Sequence, residues 1–220
     1  MQSSLKPTHA PPPGLDLIYR DASLIVVNKP AGLLAVPGRG ADKQDCMASR
    51  VRAEFPDALV VHRLDMATSG LMLFARGAEM QRRLSHLFSE HAMQKHYVAV
   101  VAGRVEPSSG EINLPLICDW PNRPRQKVDH ESGKHSLTRY RVLAHDATMD
   151  TSRVELEPVT GRTHQLRVHM AAIGHPILGD ALYGKENNDR VKRLLLHASM
   201  LSFTHPLGGG TLCLSDDPPF

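Results

Sequence analysis

Nine short apolar stretches separated by turn residues dominate this chain: 15–19, 24–27, 59–62, 71–75, 97–102, 138–143, 154–157, 194–204 and 211–214. Their β-branched and apolar content predicts strands. Helical periodicity is confined to three segments. Met47, Val51 and Phe55 stand four apart, with Asp45 as the expected cap and Pro56 as the stop. Leu84, Leu87 and Phe88 give residues 78–91 one apolar side. Leu166, Met170 and Ile173 do the same for 164–173, where Thr163 is the expected cap and Gly174 and Pro176 end the helix. Strands outnumber helices and do not alternate regularly with them. The expected fold is therefore α+β: one domain with a mostly antiparallel or mixed sheet, flanked by a few helices and loops. It should occupy residues 15–220 behind a flexible proline-rich tail at 1–14, with 206–210 joining the last two strands as a hairpin.

Composition narrows the function class. The 220 residues suffice for one substantial core, and a formal charge of +3 permits a polyanionic partner without demanding one. No apolar run is long enough to span a bilayer, and the first 14 residues lack the apolar stretch of a secretory signal. Cys46, Cys118 and Cys213 are odd in number and widely spaced, which argues against a disulfide framework and for a reducing cytoplasm. Nothing in the sequence requires more than a monomer. There is no Walker A loop, no dinucleotide fingerprint, no nucleophile elbow and no kinase signature, so no nucleotide cofactor is expected.

Three polar clusters could carry chemistry. The first, His62-Arg63-Leu64-Asp65-Met66-Ala67-Thr68-Ser69-Gly70, lies between two apolar runs that would hold it as a rigid loop. The same residues also suit a plain hairpin turn, with Asp65 bonding the backbone. The second, Thr160 to His169, sets Arg162 just before a helix start and Arg167 one turn inside, where free N–H groups favour an anion. It equally suits a solvated basic face. His164 and His169, five apart, are poorly spaced as ligands on one helical face, and no metal site is expected. The third is Trp120-Pro121-Asn122-Arg123-Pro124-Arg125-Gln126-Lys127. If it is extended, Arg123, Arg125 and Lys127 form a cation comb beside the single tryptophan, suited to phosphates and a base or to protecting an edge strand.

Together these residues resemble the RluA family of pseudouridine synthases. His62-Arg63-Leu64-Asp65 with Thr68-Ser69-Gly70 resembles the catalytic motif of that family, and Val26 to Leu33 resembles its opening motif. Lys95-His96-Tyr97-Val98-Ala99 resembles the strand bearing its active-site tyrosine; Gly161 to His169 and Leu194 to Ala198 resemble its two C-terminal motifs. The five lie in the family's order across residues 16–206. Pro115 to Pro124 further resembles the dual-specificity subtype, which implies two substrates: a large-subunit ribosomal RNA uridine, and the tRNA uridine two nucleotides before the anticodon. A family member acting on another rRNA or tRNA uridine is the alternative. Relatives often carry an N-terminal S4-type RNA-binding domain, and a 14-residue tail cannot contain one.

The resemblance implies an isomerase that needs neither cofactor nor metal, acts on structured RNA, and works through Asp65, Tyr97 and Arg167. Asp65 would be the ionised carboxylate, Arg167 its basic partner, and Tyr97 the residue lying against the uracil and placed to act on the C5 proton. Arg63, planar and adjacent to Asp65, is the expected wedge filling the space that an extruded uridine leaves. Leu196 is expected in the pocket lining or simply in the core, and Lys29 and Arg162 are expected phosphate contacts. Two rivals remain: a glycosidase, which would need a second carboxylate across the sugar, and a non-catalytic RNA-binding or ribosome-assembly protein, which would need cations but no Asp65.

Overall fold

The apolar segment Ser69–Arg76 becomes strand β4, covered on both faces, and the sheet extends outward from it. The computed structural model describes residues 14–184, 191–208 and 210–220; all of the expected tail 1–14 except Gly14, and Gly209 of the expected hairpin turn, lie outside these. In chain order the elements are β1 (Asp16–Arg20), β2 (Leu24–Lys29), α1 (Met47–Glu54), β3 (Ala58–Val60), β4, α2 (Ala78–Ser89), β5 (Gln94–Ala102), β6 (Ser109–Asn113), β7 (Leu116–Cys118), β8 (Gln126–Val128), β9 (Leu137–Asp146), β10 (Thr151–Pro158), α3 (Gln165–Ala172), β11 (Leu196–Thr204) and β12 (Thr211–Ser215). The main sheet runs β1-β2-β4-β11-β5-β10-β9-β6, with β12 on β11 and β3 on β4. Among the described strands only β4 and β11 pair in parallel; β7 and β8 form a separate hairpin arm. This is the expected single α+β domain on a mixed sheet.

The two halves of the sheet are built differently, and the sequence pattern explains why. Strands β2 and β4 are sandwiched. Ile25, Val27, Met72 and Phe74 pack with Met47 and Val51 of α1 on one face, while Val26, Leu71 and Leu73 pack with Met80 and Leu84 of α2 on the other. Burial on both sides requires a continuous apolar run rather than alternation. Strand β10 instead alternates: Val154 and Leu156 meet Leu166 and Met170 of α3, while Glu155 and Glu157 face outward, paired with Arg141 and Arg139 of β9.

Gly70 is where the two halves join. It pairs with Ala198 across the parallel β4–β11 contact, at φ 111°, and a Cβ there would lie 2.4 Å from the Ala198 carbonyl oxygen. Only glycine satisfies both the backbone angle and the approach. The contact sets the loop before β4 against the starts of β11 and β5.

Several local expectations need correction. Helix α1 is capped by Cys46, whose Sγ accepts from the Ser49 amide while the Ser49 hydroxyl accepts from the Cys46 amide; Asp45 instead pairs with Arg50. Thr163 does not cap α3: His164 holds that position in the left-handed region, φ 55°. Helix α2 stops at Ser89 rather than residue 91. Strand β3 ends at Val60, and the ring of His62 takes over, its Nε2 accepting the Leu73 amide at 2.9 Å. Strands β6, β7 and β8 were not anticipated. The first is polar, Ser-Gly-Glu-Ile-Asn, and the other two have three residues each, too short for a period to register.

Candidate active site

The first polar cluster is a loop held from beneath. Gly32 N–H donates to the Met66 carbonyl at 2.8 Å, and Thr68 N–H donates back to the Asp65 carbonyl at 3.1 Å. Lys29 completes the anchor: its Nζ donates to the carbonyls of Pro30, Leu33 and Met66 at 2.9, 2.8 and 3.1 Å. Its side chain is fully buried, and burial pulls its pKa down to about 7 while the Asp65 charge opposes that shift. Lys29 is therefore no phosphate contact, and the earlier assignment is corrected: three carbonyls use its three donors, and no face of it reaches solvent.

That loop aims Asp65 at α3. Arg167 Nη1 donates to Asp65 Oδ2 at 3.1 Å, while Arg167 Nε and Nη2 grip Asp180 Oδ2 and Oδ1 at 2.8 and 2.7 Å. The Asp180 carboxylate also accepts the amides of Leu182 and Tyr183, so it fixes the guanidinium and a tight turn together. Burial opposes the Arg167 charge, but the bonds from Asp180 and the pull of both carboxylates outweigh it and raise its pKa. Arg167 thus sets a cation directly against Asp65. Asp65 keeps 20% of its side-chain surface exposed, against 5% for Arg167 and none for Asp180, so of the three groups it is the one open to a ligand.

Asp65 opens onto a cavity of about 300 Å³ that Arg63, Tyr97, Arg162, Arg167 and Leu196 also line. Six expected site residues thus converge on one space, although they come from four separate stretches of chain. Burial, and then the Asp65 charge, push the Tyr97 phenol well above its ordinary value, so it is a neutral ring beside the carboxylate rather than a ready base. Arg63 is exposed, and Arg162 Nε reaches the His135 carbonyl at 3.2 Å on the rim.

The cation comb does not form as expected. Residues Trp120–Asn122 make a short helical turn, Arg125 N–H donates to the Asn122 carbonyl, and the strand begins only at Gln126. Lys127 is paired with Asp129 at 3.3 Å, whereas Arg123 lies 4.6 Å over the ring of Trp120, which is 65% exposed. Local turn bonds overrode the extended bias of the prolines. What stands at the tip of the arm is an Arg–Trp pair with Arg125 nearby in sequence.

Sequence reasoning missed four residues around the cavity. Asp180 follows a glycine with no periodic pattern, and its link to the site runs through Arg167. Tyr183 hydrogen-bonds His164 Nδ1 at 2.7 Å, and His164 Nε2 faces Asp65 Oδ2 at 3.8 Å; His164 had been weighed only as a metal ligand. Lys95 lines the cavity 5.9 Å from the Phe88 ring, its pKa lowered by burial. It stands two residues before Tyr97, in the same strand.

A family model described as RNA pseudouridylate synthase matches residues 23–172. The chain is 50% identical over 201 residues to the dual-specificity RNA pseudouridine synthase RluA of Escherichia coli (strain K12), covering 91% of each. It is 48% identical over 216 residues to the protein of the same name from Pasteurella multocida, covering 97% of this chain and 98% of that one. Among solved structures, human RNA pseudouridylate synthase domain containing 1 superposes with a TM-score of 0.78 at 32% identity, over 93% of this chain and 84% of that one.

Proposed function

Because the chain belongs to the RNA pseudouridylate synthase family, we propose that it isomerises uridine in two RNAs, a large-subunit ribosomal RNA and the anticodon stem-loop of tRNA two nucleotides before the anticodon, with Asp65 as the reacting carboxylate. The observation that carries the reading is the 3.1 Å bond from Arg167 to Asp65 at the edge of the cavity shared with Tyr97. Two relatives about half identical to this chain bear the dual-specificity name, which supports the pair of substrates.

The reaction breaks the C1′–N1 bond, turns the uracil and joins C5 to C1′; C5 then loses its proton while the freed N1 gains one, so no atoms are gained or lost overall. An ionised Asp65 serves either as the nucleophile at C1′ or as the base at C2′, and Arg167 holds it by a hydrogen bond. The neutral ring of Tyr97 lies against the base. Leu196 closes the apolar side of the pocket. A uridine in a stem-loop must leave its stack, at a cost of a few kcal/mol, and exposed Arg63 takes the space it leaves. Arg162 at the rim and the Arg123–Trp120 tip of the arm meet the RNA outside the pocket, with Arg125 and Lys127 adding charge. The reading is of a monomer in the cytoplasm, in keeping with the free thiols of Cys46, Cys118 and Cys213.

Purified protein incubated with uridine-bearing stem-loops of each kind tests this directly. The reading expects pseudouridine in both. Free uracil would mean glycosidase chemistry, bound but unchanged RNA would mean a binding protein, and product in only one RNA would remove dual specificity.

A further inference from the structure

A chain of hydrogen bonds connects the hairpin arm to the catalytic carboxylate. The Gln126 backbone N–H, at the start of β8, donates to Tyr183 Oη at 2.7 Å. The same oxygen is 2.7 Å from His164 Nδ1. The direction of the second bond is an assignment. A tyrosine hydroxyl has one hydrogen, and His164 Nδ1 is the acceptor within its reach among the described residues, so we place that hydrogen on the bond to Nδ1. Nδ1 is then an acceptor, and the neutral imidazole carries its proton on Nε2, the atom facing Asp65 Oδ2 at 3.8 Å.

The surroundings hold this arrangement. His164 adopts φ 55°, an uncommon backbone conformation for histidine, which turns the chain into α3. Its ring meets that of Tyr183 edge-on, with centroids 5.7 Å apart and planes at 77°. Tyr183 is pinned twice more: its amide donates to Asp180, and its ring lies 5.2 Å from the Arg167 guanidinium carbon. The charged groups acting on His164 are Asp65 and Arg63 from the loop, Arg167 from α3 and Asp180 from the turn. Burial is the largest influence and disfavours the imidazolium.

We propose that Tyr183 and His164 are positioning residues for the isomerisation, and that together they tie the seating of the β7–β8 arm to the aim of Asp65. The arm bears the Arg123–Trp120 tip, so RNA that draws the arm inward tightens the Gln126–Tyr183–His164 chain and brings an Nε2–H donor towards the carboxylate. The 3.8 Å separation leaves room for that tightening, since catalytic hydrogen bonds often shorten only in the substrate complex. The inference rests on Asp65 being the reacting carboxylate.

Nitrogen NMR of the His164 imidazole in the intact wild-type protein reads the tautomer directly. An Nε2–H form is expected; an Nδ1–H form would overturn the proposal whatever the variants do. Tyr183→Phe keeps the ring and removes the hydroxyl. It should lower the single-turnover rate at saturating stem-loop RNA about 10- to 100-fold, as loss of a group orienting a catalytic residue does, with a much smaller change in RNA Kd. His164→Leu should show a similar loss, and the Tyr183→Phe/His164→Leu double variant should be little worse than either, because the residues act as one unit. His164→Gln, which retains a terminal N–H donor, should recover part of the rate. A Tyr183→Phe rate at the wild-type level, or a defect confined to Kd, contradicts the proposal. Asp65→Asn run alongside separates the two layers. If that variant is inactive while Tyr183→Phe is normal, only the positioning chain falls; if it turns over, the reading of Asp65 falls with it.

Discussion

Arg167 divides one guanidinium between two carboxylates, giving two short bonds to Asp180 and a single 3.1 Å bond to Asp65. The asymmetry separates two tasks. Asp180, fully buried, neutralises and orients the arginine, and Asp65, partly open, is left with a charged partner and free acceptor capacity towards the cavity.

Removing the guanidinium should therefore affect stability through Asp180 and activity through Asp65. Arg167→Met leaves a buried carboxylate without its partner, and breaking such a pair costs about 3–5 kcal/mol. Urea unfolding should show that loss, and turnover should fall by orders of magnitude. Adding Asp180→Leu should restore much of the stability but none of the activity. Recovery of both would mean Arg167 is structural only.

His62 makes the loop sensitive to acid. Burial, with a contribution from Lys95, lowers its pKa from an ordinary 6.5 to about 3, and the neutral ring accepts the Leu73 amide at Nε2. The unfolded chain therefore takes up the proton first as pH falls below about 6.5, so this contribution to stability is complete above that pH and is lost as pH falls towards 3. The slope is up to about 1.4 kcal/mol per pH unit. His62→Gln, whose amide oxygen accepts without titrating, should flatten the dependence of unfolding free energy on pH between 6.5 and 4. Parallel curves for the two proteins would contradict this account.

The arm should contribute RNA affinity rather than chemistry. Arg123 and Arg125 are the cations at its tip, whereas Lys127 already faces Asp129. Replacing both arginines by Gln should raise Kd for rRNA and tRNA stem-loops alike, because phosphate contacts position RNA without reading it. Each lost contact should also reduce the slope of log K against log salt by roughly 0.7–0.9. Rates at saturating RNA should change far less. An unchanged salt slope would leave the arm's charge as edge protection.

The sequence made the fold class and the centre of the site legible for physical reasons. Sandwiched strands such as β2 and β4 show as unbroken apolar runs, and the polar loop 62–68 before β4 stands out as an interruption. Asp65, Tyr97 and Arg167 could be named because the motifs around them resemble a known family; their convergence is visible only in three dimensions. Lys29, within the opening motif, was misread because a lysine looks solvated in sequence until its three carbonyl acceptors are seen. Asp180 and Tyr183 were invisible because their significance is wholly relational: one holds Arg167, the other His164. The arm defeated the extended reading because turn bonds between Asp119, Asn122 and Arg125, local but irregular, outweighed proline's preference.

The central claim is that the ionised carboxylate of Asp65 performs the isomerisation, and single-turnover assay of Asp65→Asn with a uridine stem-loop tests it most directly. The amide has the same shape but is neither nucleophile nor base, and Arg167 stays gripped by Asp180, so the pocket should persist. The account predicts RNA binding close to wild type with the rate down by at least about 10³-fold. Pseudouridine formed at a rate near that of the wild-type protein would contradict it.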